Sequence, residues 1–317
     1  PLANSSPSAI NDYLACPFTY FLKRNFGGSF DDSAEEMGAN QFGSLCHKAL
    51  ELWGRSGLKD STDAAAIAAM LRENVDAILA GQFGVPLPAI VELQGESAKR
   101  RLEAFAEIQA AHRAEGWRIV ATEEWLKVVY DGCEFKGCAD RIEVNESTGE
   151  WQVVDYKTFD DPERADAFEQ TRKIVADAEA RGLPTFEAPG KKGPVKTVWR
   201  SLQLPLYCAM LEASPDPKFA AAKGAIRKAA YCVLGKTPEK TLFTEPVDSV
   251  AYQAEAEKMV RALIARIRRG IFWPPGAGEI WKQEWYDYSS LIYDNPESSV
   301  SRAWLDDQRA RGGAGDE

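Results

Sequence analysis

Two aspartates and a lysine near the middle of the sequence have the residue types and spacing of a cation site. Asp140 and Asp155 lie in two segments rich in β-forming residues, separated by the turn residues 145–149, and Lys157 follows two residues after Asp155. A hairpin centred on that turn places Asp140 directly opposite Asp155, with β-carbons about 5 Å apart. Two like charges at that distance destabilise a sheet unless a cation neutralises them, and a divalent cation would do so.

The alternation of side chains along a strand adds Lys157 to this pair. Period-two alternation puts Lys157 on the same face as Asp155 and turns Val154 towards the core. Carboxylate oxygens suit Mg²⁺ or Mn²⁺, and a neighbouring lysine can orient a water or stabilise charge on a phosphate. The alternative is an Asp–Lys ion pair on an exposed strand face, which contributes little to stability. Spacing alone leaves both interpretations open.

The elements that would position these residues follow from the apolar periodicity. The first third predicts helices at about 8–24, 40–55, 63–80 and 96–115, the first of them with a break at Cys16-Pro17. An antiparallel meander is predicted at 118–121, 125–130, 134–144 and 151–159. After it we expect helices at about 162–180, 200–213 and 249–269, strands at 226–234 and 240–245, a loop at 188–196, and a disordered tail after Arg309.

The composition bounds the class of protein. The chain has 317 residues, of which 45% are hydrophobic and 27% charged, so it should fold around a sizeable core. We expect one α/β domain over 1–317, with a mainly helical part at 1–116, a sheet with flanking helices at 117–270 and an extension at 271–317. No apolar run of about 18 residues and no signal peptide is present, which predicts a cytoplasmic protein without a membrane partner. Six dispersed cysteines exclude a disulfide scaffold.

The net charge of −10 argues against a non-specific nucleic-acid coat protein, but the charge is unevenly distributed. Residues 187–240 contain ten basic and four acidic residues, a net charge of +6, which leaves −16 for the rest of the chain. A loop rich in glycine, proline and lysine lies within this segment. We therefore expect phosphate contacts from Lys191, Lys192, Lys196 and Arg200. A solvated charged loop is the alternative.

Five motifs, taken in order, resemble one nuclease superfamily. The segments Gly137-x-x-Asp140-Arg-Ile-Glu and Val153-Val-Asp155-Tyr-Lys157-Thr158 resemble the active-site core of PD-(D/E)XK nucleases, specifically the RecB-type exonuclease branch that includes AddB nuclease domains. The segment from Gly43 to His47 resembles that branch's Gly-x-x-x-His helix, and Gln203 to Tyr207 resembles its Gln-x-x-x-Tyr helix. The opening segment 8–21, with its Cys-Pro pair, is similar to the first helix. Together the matches span about two thirds of the chain.

The resemblance implies a restriction-endonuclease-like core, in which a central mixed, largely antiparallel sheet is flanked by helices, with a helical N-terminal elaboration. It implies a Mg²⁺- or Mn²⁺-dependent DNA exonuclease of recombination and repair that leaves 5′-phosphate and 3′-hydroxyl products. The metal would be held by His47, Asp140, Asp155 and the Tyr156 carbonyl. Catalysis would use Asp140, Asp155 and Lys157, with Gln203 as a support and Tyr207 as a contact to nucleic acid or to the lysine. Without the resemblance, His47 would be a surface or capping residue.

One departure from the branch concerns its iron–sulfur cluster. Many AddB-type domains hold a cluster with the opening Cys-Pro cysteine and three cysteines near the C-terminus. Cys16 is present, but the last cysteine is Cys232, so we expect no cluster. We expect Trp273, Trp281 and Trp285 to provide aromatic packing instead.

Several other functions remain open at this stage. The chain could be excised from a longer helicase–nuclease protein and act with a helicase domain or subunit. It could be a DNA-binding or scaffold module that does not cleave, or a CRISPR spacer-acquisition nuclease. An enzyme acting on a small phosphorylated molecule is disfavoured by the basic segment 187–240.

Overall fold

The computed structural model describes most of the chain. It covers residues 2–26, 37–163, 170–171, 173–190, 192–245, 250–274 and 296–313. The predicted contributions of Lys191, Trp281 and Trp285 fall outside these residues.

The first third of the chain is helical, as the periodicity predicts. The helices are α1 Pro7–Ala15, α2 Pro17–Phe26, α3 Ala39–Gly54, α4 Ala64–Phe83 and α5 Ala89–Ala114. The predicted break at Cys16-Pro17 separates α1 from α2, because Pro17 disfavours a helical conformation at Cys16, whose backbone is extended. Ser6 and Asp63 cap α1 and α4 with their side chains, which satisfies main-chain amides at the helix starts.

The strands and later helices complete the chain. The strands are β1 Asn4–Ser5, β2 Trp117–Tyr130, β3 Cys133–Asn145, β4 Trp151–Lys157, β5 Gln170–Thr171, β6 Phe186–Ala188, β7 Val195–Trp199, β8 Ile226–Val233 and β9 Leu242–Thr244. The helices are α6 Val175–Ala180, α7 Gln203–Ala213, α8 Gln253–Arg268 and α9 Arg302–Gly313. Among the described residues no helix is both long and apolar enough to cross a bilayer.

A mixed sheet lies at the centre of the fold, which confirms the predicted fold class. Its strands follow the order β1-β3-β4-β8-β9, with β2 also paired to β3. The β2–β3, β3–β4 and β8–β9 pairs are antiparallel, whereas β1–β3 and β4–β8 are parallel. The β3–β4 hairpin has the predicted register, with Arg141 opposite Val154 and Val144 opposite Trp151. The pairing ends at Arg141 and Val154, the residues next to Asp140 and Asp155.

Two hydrophobic cores cover the two faces of the sheet. On one face Ile142 and Val153 pack with α1, α7 and α8. On the other face Ile119 and Val154 pack with α3, α4 and α5. The central strands are therefore buried on both sides, so only their ends and the long β2–β3 hairpin can bring polar side chains to the surface.

Three segments differ from the expectations. The predicted loop at 188–196 contains the ends of β6 and β7, which pair with each other, and the predicted helix at 162–180 is reduced to α6 within the described residues. The predicted disordered tail after Arg309 is wrong as far as Gly313, because α9 extends to that residue.

The C-terminal part of the chain packs against α2. The ring centroid of Phe18 lies 5.7 Å from that of Trp273 and 5.9 Å from that of Trp304. Cys16 is buried in the same cluster.

Candidate active site

The alternation of side chains along β3 breaks at Asp140. Ala139 packs in the core on the α7 side of the sheet. Two residues later, Arg141 faces the opposite core, where its guanidinium donates to the Tyr156 hydroxyl at 3.3 Å. Residues two apart in a regular strand share a face, so the strand changes phase at Asp140. Such irregularities re-aim side chains beside active sites.

Strand β2 has a matching irregularity at Glu123. Thr122 pairs with Arg141 and Glu124 pairs with Ala139, so Glu123 lies opposite Asp140. The φ angle of Glu123 is +49°, in the left-handed region that non-glycine residues seldom adopt. Glu123 thereby lines a cavity of about 480 Å³ together with His47 of α3. Glu123 is not among the site residues predicted from the sequence.

Several potential metal-ligating atoms converge on this point. The Asp140 Oδ2 atom accepts a hydrogen bond from the Tyr156 amide at 2.8 Å and lies 3.5 Å from His47 Nδ1. The other ring nitrogen of His47 lies 3.1 Å from the Tyr156 carbonyl oxygen. One ligand atom from each of His47, Glu123 and Asp140 can be chosen such that all three lie within 4.8 Å of one another.

Burial and neighbouring charges change the pKa values of the ionisable side chains that converge here. Burial and the neighbouring Asp155 carboxylate raise the pKa of Asp140 well above its usual value. Burial lowers the pKa of His47 although Asp155 acts in the opposite direction, so a neutral imidazole with a free lone pair is favoured. Burial also raises the pKa of Glu123. Ionised carboxylates are therefore unfavourable in this site without a cation. A bound cation would stabilise their ionised forms.

Lys157 connects the carboxylates to helix α7. Its Nζ lies 2.5 Å from Asp155 Oδ2 and donates to Gln203 Oε1 at 3.1 Å. The Gln203 amide nitrogen in turn donates to the Tyr207 hydroxyl at 3.4 Å. Burial raises the pKa of Tyr207, which keeps the hydroxyl protonated. Lys157 is thus held between a carboxylate and an amide at the end of β4.

Helix α7 approaches the sheet closely at Gly137. A β-carbon at that position would lie 2.8 Å from Tyr207 Cε1 and 3.0 Å from Pro7 Cδ. A larger residue would push Tyr207 away from β3. This close approach explains why a glycine occupies position 137 in the first motif.

The sequence matches a family model of the PD-(D/E)XK nuclease superfamily over residues 4–180, more than half of the chain. The chain belongs to the PD-(D/E)XK nuclease superfamily. No curated protein matches the chain. Among solved structures it is similar to a "Putative exonuclease" from Eubacterium rectale, at 13% sequence identity and a TM-score of 0.48, with 96% of this chain and 92% of that chain covered.

In this nuclease a buried ionic network lies directly behind the site. Glu143 accepts hydrogen bonds from Arg141, from Gln152 at 2.6 Å and from the His112 ring at 2.9 Å. Burial disfavours its charged form, but the attraction of Arg141 and the hydrogen bonds outweigh burial and lower the pKa of Glu143 to about 2. The network fixes Arg141, which contacts Tyr156, so it supports the main chain that carries the Tyr156 carbonyl.

Of the nuclease's predicted nucleic-acid-binding residues, the three that the structure describes lie at the surface. Lys192 and Arg200 are exposed, and Lys196 is ion-paired with Glu179. Three other basic residues of the segment 187–240 also have acidic partners, in the pairs Lys218–Glu124, Lys228–Glu245 and Lys240–Asp161. The positive charge of this segment is therefore partly compensated, which weakens the argument from charge.

The donor atoms of the site fit a hard divalent cation. They comprise an imidazole nitrogen, carboxylate oxygens and a main-chain carbonyl, a set that suits Mg²⁺ or Mn²⁺. Asp140 and Asp155 are both buried, with exposed fractions of 9% and 1%. Lys157 contacts Asp155, whereas Asp140 contacts the Tyr156 amide and His47, so the two carboxylates retain capacity for a metal ion.

Proposed function

We propose that the protein is a Mg²⁺- or Mn²⁺-dependent deoxyribonuclease of the RecB/AddB type that degrades DNA from its ends during recombination and repair. The superfamily makes it a phosphodiester hydrolase. The observation that carries the proposal is the convergence of His47, Asp140 and the Tyr156 carbonyl beside the Asp155–Lys157 pair. We place this activity in the cytoplasm, with a helicase domain or subunit as the partner that supplies the strand.

His47, Asp140, Asp155 and the Tyr156 carbonyl would hold the metal. Glu123 joins this set because its carboxylate lies in the same group of donor atoms. A bound Mg²⁺ or Mn²⁺ lowers the pKa of water and stabilises the charge that develops on the leaving oxygen.

The remaining groups act on the attacking water and the phosphate. Lys157 Nζ holds the water in line with the phosphorus or donates to a non-bridging oxygen. Gln203 restrains the ammonium through its 3.1 Å hydrogen bond, so the lysine does not collapse onto Asp155 alone. Tyr207, protonated, donates a hydrogen bond at the edge of the site. Cleavage of the bond to the 3′-oxygen would leave 5′-phosphate and 3′-hydroxyl ends.

Substitution of the two central side chains tests the proposal. Asp155→Ala and Lys157→Ala should each reduce hydrolysis of linear DNA at least about a hundredfold, because each removes a group that acts in the transition state. Lys240→Ala is a matched control, since Lys240 also pairs with an aspartate, Asp161, outside the site. Cleavage at the wild-type rate by Lys157→Ala would contradict the mechanism.

A further inference from the structure

Beyond the site, β2 and β3 continue as a hairpin with one exposed face. Leu126, Val128 and Tyr130 of β2 and Phe135 of β3 face the core, whereas the alternate β2 residues 125, 127 and 129 point outwards. Trp125 is 64% exposed and Val129 is 59% exposed. Lys127 and Lys136 are exposed on the same face. We name Trp125, Lys127 and Lys136 the hairpin face.

The cross-strand register of the hairpin face is unfavourable for the isolated protein. Lys127 lies directly opposite Lys136, and like charges in this position destabilise a sheet. The two lysines reduce the cost by moving apart. Lys127 Nζ lies 3.3 Å from Glu134, and Lys136 Nζ lies 4.9 Å from the centre of the Trp125 ring. Neither an exposed tryptophan nor a lysine pair is needed to form the hairpin.

A negatively charged polymer with flat apolar groups would complement both the lysine pair and the exposed tryptophan. Phosphates would neutralise the facing lysines, and a base would cover the exposed indole. Bases in a duplex are stacked on each other and closed to a side chain, so the chemistry favours an unpaired strand.

The hairpin face leads directly into the candidate active site. Trp125 pairs with Cys138, whose thiol donates to Glu123 at 3.4 Å. Trp125 follows Glu123 by two residues, and Cys138 precedes Asp140 by two residues, so the face begins about 7 Å from the two carboxylates along the strands. A strand bound on the face would need no turn to reach the site.

We propose that the hairpin face binds single-stranded DNA, with Trp125 stacking on a base and Lys127 and Lys136 contacting phosphates. The inference rests on the proposed function, because it assigns the substrate strand of the same site. It places a base-stacking residue on β2 rather than in the basic segment 187–240.

Binding without cleavage tests the inference. The full chain is titrated into 5′-fluorescein-labelled oligothymidylate in EDTA, and fluorescence anisotropy gives Kd. Trp125→Ala should raise Kd at least about fivefold and Trp125→Phe should raise it less, because the smaller ring still stacks. Lys136→Ala should raise Kd and reduce the slope of log Kd against log salt by about one. Phe26→Ala is the control, since Phe26 is an aromatic residue 61% exposed on α2, and Kd should not change.

The outcomes separate this inference from the proposed function. If the wild type binds the strand and hydrolyses DNA with Mn²⁺, and Trp125→Ala binds equally well, the hairpin face is not the binding surface. Wild-type protein that binds only duplex and still hydrolyses DNA also overturns the inference and leaves the nuclease intact. Wild-type protein that neither binds nor hydrolyses DNA overturns both.

Discussion

Replacement of Glu143 by glutamine should destabilise the protein, because it removes one charge from the buried network behind the active site. Glu143 and Arg141 are both fully buried, and His112 and Gln152 complete the contacts of the carboxylate. The environment lowers the pKa of Glu143 from 4.5 to about 2. At 1.36 kcal/mol per pKa unit, the ionised form is favoured by about 3 kcal/mol. This figure already includes the attraction of Arg141, which the substitution leaves without its carboxylate partner in the core.

The pH dependence has a defined sign. Because the pKa of Glu143 is lower in the folded than in the unfolded state, its stabilisation is fully present above about pH 4.5 and is lost as the pH falls towards 2. The glutamine variant has no proton to bind at this position. The difference in free energy of unfolding between wild type and variant should therefore be about 3 kcal/mol at pH 7 and smaller at pH 3.

Urea unfolding followed by circular dichroism measures this difference at both pH values. Glu146→Gln is a matched control, because Glu146 is half-exposed and pairs with Arg118 at the surface, where substitutions change stability by about 0.5 kcal/mol or less. A difference below about 1 kcal/mol at pH 7, or one that is the same at pH 3, would refute the reasoning.

Three further predictions concern the site and the C-terminal packing. Glu123→Gln should weaken Mn²⁺ binding about tenfold in isothermal titration calorimetry. Glu124→Gln is the control, because Glu124 pairs with Lys218, and it should not change the affinity. Equal Mn²⁺ affinities for the two variants would show that Glu123 is not a metal ligand. Gln203→Ala should lower kcat about tenfold without changing Mn²⁺ affinity, because Lys157 loses a restraint. Protein purified without oxygen should show no iron–sulfur absorption band and contain no stoichiometric iron, and a band with bound iron would contradict the expectation drawn from Cys232 as the last cysteine.

The register of the β3–β4 hairpin could be predicted because a single turn determines it. With the turn at 145–149 fixed, the pairing of Arg141 with Val154 follows from chain geometry alone. The helices of the first third could be predicted from their apolar stripes, which recur at helical spacing for several turns. By contrast, the short β6 and β7 strands contain too few residues to show alternation, and the glycine- and lysine-rich loop between them obscured the pairing.

Glu123 could not be found from a regular strand pattern, because its backbone departs from the extended conformation at this residue. Ile119 and Leu126 lie at odd and even positions because they face the two opposite cores, so the apolar pattern gives no sign of the change. The irregularities are a shift of register between Ile119 and Ala121 and the left-handed conformation of Glu123. Glutamates 123 and 124 would otherwise be interpreted as two solvated acids.

The position of Gln203 and Tyr207 relative to the sheet could not be predicted from their spacing. Their separation puts them on one face of a helix, but nothing in the local sequence selects the strand that the helix meets. The small residue Gly137 on β3 determines the approach, and it lies 66 positions earlier than Gln203 in the chain. In the sequence, only the resemblance to the nuclease family associates these residues with one site.

Hydrolysis of end-labelled DNA tests the central claim most directly. Linear single- and double-stranded DNA and the corresponding circles are incubated with the protein in Mg²⁺, Mn²⁺ or EDTA, and the ends of the products are identified. We predict degradation of linear DNA with either metal, 5′-phosphate products, intact circles and no reaction in EDTA. Cleavage in EDTA, or the absence of cleavage with both metals, would contradict the account.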